Sequence, residues 1–110
     1  MPLYEFEGKR PHIAQSTYVS PDAVIIGDVR IGEDCYIGPG AVIKGDYGRV
    51  IIGNESNVQE NCVIHARPDD ECRIGNRVTV GHGAILHNCT IEDDALIGMA
   101  AVVSDWAQVG

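Results

Sequence analysis

The sequence predicts an all-β chain wound as a parallel β-helix, and three regularities carry that expectation. Aliphatic residues recur every six positions, a small residue stands two before most of them, and glycine often follows. Residues two apart on a strand share a face, so each unit offers one small and one large inward side chain before a turn. A helix needs a 3.6-residue period, which this stretch lacks. Strands this short do not pair as hairpins at such regular spacing, but stacked coils can hydrogen-bond each to the next at about 4.8 Å.

The first register runs through Ile13, Val19, Ile25, Ile31, Ile37 and Ile43. A second follows through Ile52, Val58 and Ile64, a third through Ile74 and Val80, and a fourth through Ile85, Ile91, Ile97, Val103 and Val109. The small partners are Thr17, Ala23, Val29, Cys35, Ala41, Cys62, Ala84, Cys89, Ala95, Ala101 and Ala107. Taking 13–110 as repeat gives five to six coils in one domain spanning 1–110. Residues 1–12, with Pro2, Gly8 and Pro11, fall outside the period and are expected to cap the first edge. Gly110 falls inside a repeat unit, leaving an edge that needs cover from another subunit unless the chain is short for its kind.

Composition narrows the function classes. Eight Lys plus Arg against sixteen Asp plus Glu give a formal net charge of -8, a poor match for a phosphate backbone, so nucleic acid is not the expected partner. No apolar run reaches membrane-spanning length and the N-terminus lacks a signal-peptide profile, which points to a soluble cytoplasmic chain with no membrane partner. Cys35, Cys62, Cys72 and Cys89 form no C-x-x-C pair and are expected as thiols.

The period breaks at three places: nine residues from Ile43 to Ile52, ten from Ile64 to Ile74, and five from Val80 to Ile85. Extra residues in a solenoid leave as loops on one side, where binding often occurs. Three of the four histidines lie among these breaks. His82 follows His65 by seventeen residues, close to one coil, so these two are expected near one corner, with His87 across the next turn. Three imidazoles with an open fourth position suit a hydrating or hydrolytic metal. A histidine in a repeat is ordinarily just a hydrogen-bonded residue, and spacing alone leaves both readings open. His12 has no repeat partner and reads as structural. Cys62 and Cys89 have plausible ligand spacing to His65 and His87, yet both occupy the small inward slot.

The six-residue repeat resembles the hexapeptide-repeat superfamily, which implies triangular coils wound left-handed, against the usual hand of parallel crossovers. Within it, Lys44-Gly45-Asp46-Tyr47-Gly48-Arg49, Asn57 through His65, and Val80 through His87 resemble the signature of the γ-class carbonic anhydrases. That resemblance implies a homotrimer with a metal between subunits, His65 and His87 from one chain and His82 from its neighbour. Zn2+ is the expected ion, with Fe2+ or Co2+ as alternatives. The implied reaction is hydration of CO2 to bicarbonate by a metal-bound hydroxide, formed because the ion lowers the pKa of its water to roughly 7. Gln59 resembles the residue that hydrogen-bonds near that hydroxide, and Asp46 and Arg49 resemble residues that order the interface. Lys44 stands where the family has arginine and Glu60 where it has aspartate, and both join Gln59 and Asp46 as candidate catalytic residues. The acidic segment Arg67-Pro68-Asp69-Asp70-Glu71 is either a proton relay or, as favoured here, a solvated turn. The family's C-terminal helix is not expected in a solenoid this short.

Two other functions compete. Hexapeptide-repeat proteins resemble many CoA-dependent acyltransferases, which place a catalytic histidine between coils, and some members resemble thioesterases. A trimeric scaffold that binds metal without turnover is the third reading.

Overall fold

In the computed structural model, which describes residues 3–110, the strands form a ten-stranded and a five-stranded sheet. All registered strand pairs are parallel. The registers arrange the chain as a prism with three faces. The first face holds Leu3–Tyr4, Val63–His65, Ile85–His87 and Val102–Val103, together with the opening residues of Val24–Ile31 and Val42–Ile52. The second holds the closing residues of those two long strands with His12–Ile13, Glu71–Ile74, Thr90–Ile91 and Gln108–Val109. Tyr18–Val19, Tyr36–Ile37, Asn57–Val58, Thr79–Val80 and Leu96–Ile97 make the third. The ten-stranded sheet covers two faces because Val24–Ile31 and Val42–Ile52 run unbroken around one corner. No helix occurs among the described residues, and none is long and apolar enough to cross a membrane.

The interior is three aliphatic columns. Ile25, Ile43, Ile64 and Leu86 stack on the first face, Ile31, Ile52, Ile74 and Ile91 on the second, and Ile37, Val58, Val80 and Ile97 on the third, all buried. Burying each such side chain stabilises the fold by about 1.5–3 kcal/mol. The small slots beside them hold Ala23, Ala41, Cys62 and Ala84, or Val29, Val50, Cys72 and Cys89, or Cys35, Ser56, Val78 and Ala95. Ser56 is the one polar member, and its hydroxyl donates to the Gly75 carbonyl at 2.7 Å.

One assignment of the repeat changes. Ile85 is 41% exposed and Leu86 is fully buried, with Leu86 registered on Ile64. The third break therefore lies between Leu86 and Ile91, not between Val80 and Ile85. All three departures from six then fall on the corner between the first and second faces, and the other two corners keep the period throughout.

One of those regular corners, between the second and third faces, is closed by side chains. The Oδ1 atoms of Asn54, Asn76 and Asp93 accept the backbone N–H of Glu33, Asn54 and Asn76 at 2.9, 2.7 and 2.8 Å, one coil to the next. A Cβ on Gly53 would stand 2.3 Å from Asn76 Oδ1, so glycine after the aliphatic leaves room for this ladder. The N-terminal segment covers the first edge by joining the sheet: Leu3 and Tyr4 pair with Ile25 and Ile26, and His12 and Ile13 with Arg30 and Ile31. Met1 and Pro2 lie outside the described residues.

Candidate functional site

On the outer side of the first face, Lys44, His65 and His87 stand in register on successive coils. His65 Nδ1 and His87 Nε2 are 3.2 Å apart. The far nitrogen of each ring meets a carboxylate: His65 Nε2 lies 3.0 Å from Asp46 Oδ1, and His87 Nδ1 bonds Asp105 Oδ1. An ionised carboxylate only accepts, so each ring keeps its proton on the far nitrogen and turns a lone pair toward the other ring. Two lone pairs at that distance repel unless a proton or a cation lies between them. A tetrahedral zinc with bonds of 2.0–2.1 Å spaces two nitrogen ligands by about 3.3 Å, and carboxylates behind ligating imidazoles are its usual second layer. The donor set therefore fits a divalent ion as well as a shared proton.

The supporting charges are held ionised. Partial burial pushes Asp46 up, but the Tyr47 amide at 2.7 Å, His65 and the Lys44 ammonium at 3.4 Å outweigh it and bring its carboxyl below the usual range. The hydrogen bond from His87 and the guanidinium of Arg67, 2.9 Å from Asp105 Oδ2, hold Asp105 low as well.

His82 does not join this group. It sits in the Gly81-His82-Gly83 turn between the third and first faces, its Nδ1 2.7 Å from Glu60 Oε1, and Glu60 Oε2 accepts the Tyr36 hydroxyl at 2.9 Å. Gln59 lies beside Glu60 and donates to Asn57 Oδ1 at 3.0 Å. The spacing that placed His65 beside His82 assumed a seventeen-residue coil. The excursion after Ala66 lengthens this coil to twenty-two residues, so the register partner of His65 is His87. The expected site residues thus divide between two corners: Lys44, Asp46, His65 and His87 at one, Gln59, Glu60 and His82 at the other. Among the described residues of one chain, no three His, Cys, Asp or Glu side chains are disposed to hold a metal.

The cysteines lie inside the prism. Cys62 Sγ donates to the Gly81 carbonyl at 3.0 Å, burial raises its pKa, and Cys72 and Cys89 touch at 3.9 Å. They point away from the histidines and are not ligands.

The acidic segment is an exposed turn at residues 68–69, as expected, and it is also anchored through Asp70. Asp70 Oδ2 accepts from Asn88 Nδ2 at 3.0 Å and Trp106 Nε1 at 3.1 Å, and its Oδ1 accepts the Glu71 amide at 2.8 Å. Asn88 is buried and its Oδ1 receives the Arg67 amide at 2.9 Å. The Arg67 guanidinium lies 5.0 Å from the Trp106 ring centroid. Asp105, Arg67, Asn88 and Trp106 were not among the expected site residues. Asp105 follows His87 by eighteen residues, one regular coil, and that spacing was the available signal.

Comparison with known proteins follows the same lines. The pattern described as bacterial transferase hexapeptide (six repeats) matches residues 10–45. A Bacillus cereus crystal structure described as a candidate acetyltransferase is 33% identical, with a TM-score of 0.82 over 97% of this chain and 73% of that one. The chain belongs to the hexapeptide-repeat transferase family. A hexapeptide transferase family protein from Anaplasma phagocytophilum is similar in fold, with a TM-score of 0.78 and 28% identity over 94% of this chain and 75% of that one. The carnitine operon protein CaiE of Escherichia coli is 46% identical over all 110 residues, and that of Salmonella agona 44%. The chain spans about half the length of those curated relatives, 56% in both cases. Membership of the γ-class carbonic anhydrases is a finer statement than these likenesses carry.

Proposed function

We propose that this chain forms an enzyme of acyl transfer acting on an acyl-CoA thioester, with His87 as the general base. The observation that carries this reading is the Asp105–His87 pair on a partly open face: the carboxylate backs Nδ1 and leaves the Nε2 lone pair, 3.2 Å from His65 Nδ1, as the basic atom. The named relatives of the transferase family support it at the level of class. Nε2 takes a proton from an acceptor hydroxyl, an amine or water as the acceptor atom bonds to the thioester carbonyl carbon. The C–S bond then breaks, and the departing CoA thiolate receives that proton from the imidazolium. Lys44 and Asp46 hold the neighbouring His65 in place.

A homotrimer completes the site in this reading. Val24, Val42, Val63, Ile85 and Val102 make an outward aliphatic column beside the histidines, and Val63, Ile85 and Val102 are 39, 41 and 66% exposed. A second copy covering that column would bring a neighbouring subunit's surface next to His65 and His87, where its His82, Glu60 and Gln59 are the candidates to arrive.

A second reading rests on the 3.2 Å separation of the two ring nitrogens, which suits one divalent ion held by His65, His87 and a neighbour's His82. Zn2+, Fe2+ or Co2+ would supply hydroxide at neutral pH, the chemistry of CO2 hydration. Release of free CoA thiol from a panel of acyl-CoA thioesters, with and without amine and hydroxyl acceptors, tests the first reading. Hydration of CO2 without thiol release would replace it with the second.

A further inference from the structure

We propose that Arg67 is a positioning residue that acts through Asp105 to fix which nitrogen of His87 faces the site. The proposal rests on the reading of His87 as the reacting base. Arg67 begins the excursion that breaks the repeat after Ala66, and this excursion crosses over the coil carrying His87 and Asn88 to reach Asp105 and Trp106 on the next. The corner does not need that length: the next coil passes it with Leu86 and Ile91 only five residues apart.

The extra residues are tied down at both ends. Buried Asn88 accepts the Arg67 amide and donates to Asp70, and Trp106 donates to the same Asp70 oxygen while the guanidinium lies over its ring. Asp105 then has one oxygen on Arg67 and the other on His87 Nδ1. An exposed ion pair of this kind contributes little to folding. Its geometric effect is larger, because a carboxylate pinned by one oxygen can turn the other in one direction only, and this locks the ring in the tautomer that keeps the Nε2 lone pair on the side of His65 Nδ1.

The test is nitrogen NMR of histidine side chains in 15N-labelled, chelator-treated protein at a pH where the rings are neutral, alongside thiol-release kinetics. In the wild type, His87 should carry its proton on Nδ1. Asp105→Ala should move it to Nε2 and lower kcat/KM about 10–100-fold. Arg67→Gln, which keeps much of the side chain's reach, should give a mixture of tautomers and lower kcat with KM little changed, and Arg67→Lys should restore most of both. An unchanged His87 nitrogen pattern in Arg67→Gln overturns the proposal, as does a wild-type His87 protonated on Nε2. Tautomers that respond as stated, with no acyl-CoA turnover in any variant, would leave the positioning role intact and remove the acyl-transfer reading instead.

Discussion

His65 and His87, twenty-two residues apart, are neighbours on adjacent coils with ring nitrogens 3.2 Å from each other and a carboxylate behind each ring. Both side chains are outside the prism, so they can be changed without disturbing its core. His87→Ala is expected to reduce thiol release from acyl-CoA by about 10²–10⁴-fold, the range of a lost general base, with KM nearly unchanged and the circular dichroism spectrum retained. Loss in KM alone would mean that His87 binds substrate and does not move the proton.

The facing lone pairs also make a prediction about metal. On the second reading, protein purified without chelators and resolved by size should carry about one equivalent of Zn2+, Fe2+ or Co2+ per chain on a trimer-sized species, read by elemental analysis. His82→Ala should remove that ion although His82 lies at a different corner from His65 and His87 in one chain. Metal retained by the variant would confine the site to His65 and His87. A metal-free trimer would leave the shared proton as what lies between the rings.

Adjacent positions on one strand should respond oppositely. Leu86→Ala opens the interior column and should cost about 2–5 kcal/mol in denaturant unfolding. Ile85→Ala, one residue earlier and 41% exposed, should leave monomer stability within about 0.5 kcal/mol and weaken self-association instead. Sedimentation velocity separates the two effects, and equal destabilisation by both variants would contradict the register.

The excursion at 67–70 should loosen in acid. Hydrogen bonds from Asn88, the Glu71 amide and Trp106 hold Asp70 below the ordinary carboxylate value of 3.8. A carboxylate depressed in the folded state contributes its full stabilisation above the unfolded value and loses it as pH falls through the folded value. Emission of Trp106, the single tryptophan, should therefore be constant from neutral pH to about 4 and change below it, and Asp70→Asn should remove most of that change. A wild-type transition near neutral pH would point to another group.

Much of the site was readable one residue at a time and little of it as a constellation. His65, His87, Asp46 and Lys44 were all named from the sequence, and the carry-over from a resembling signature placed His65 and His87 in one chain. Spacing alone paired His65 with His82, because it treated a coil as a constant length. Asp105 was passed over since it belongs to no recognisable motif, and Arg67 was named only as the start of the acidic segment; the importance of both comes from what they touch. Taking Ile85 for the inward residue at its corner had the same root: both it and Leu86 are aliphatic, and only the stacking on Ile64 selects Leu86.

The sequence by itself determined that this chain is a parallel solenoid with aliphatic columns inside, because alternation of inward and outward side chains is a local property of strand geometry and repeats wherever the period does. Tertiary structure alone decided which outward residues meet. Contact across coils depends on the total length of each turn around the prism: the long step between Ile64 and Ile74 brings His65 against His87, and the excursion within it carries Arg67 over to Asp105.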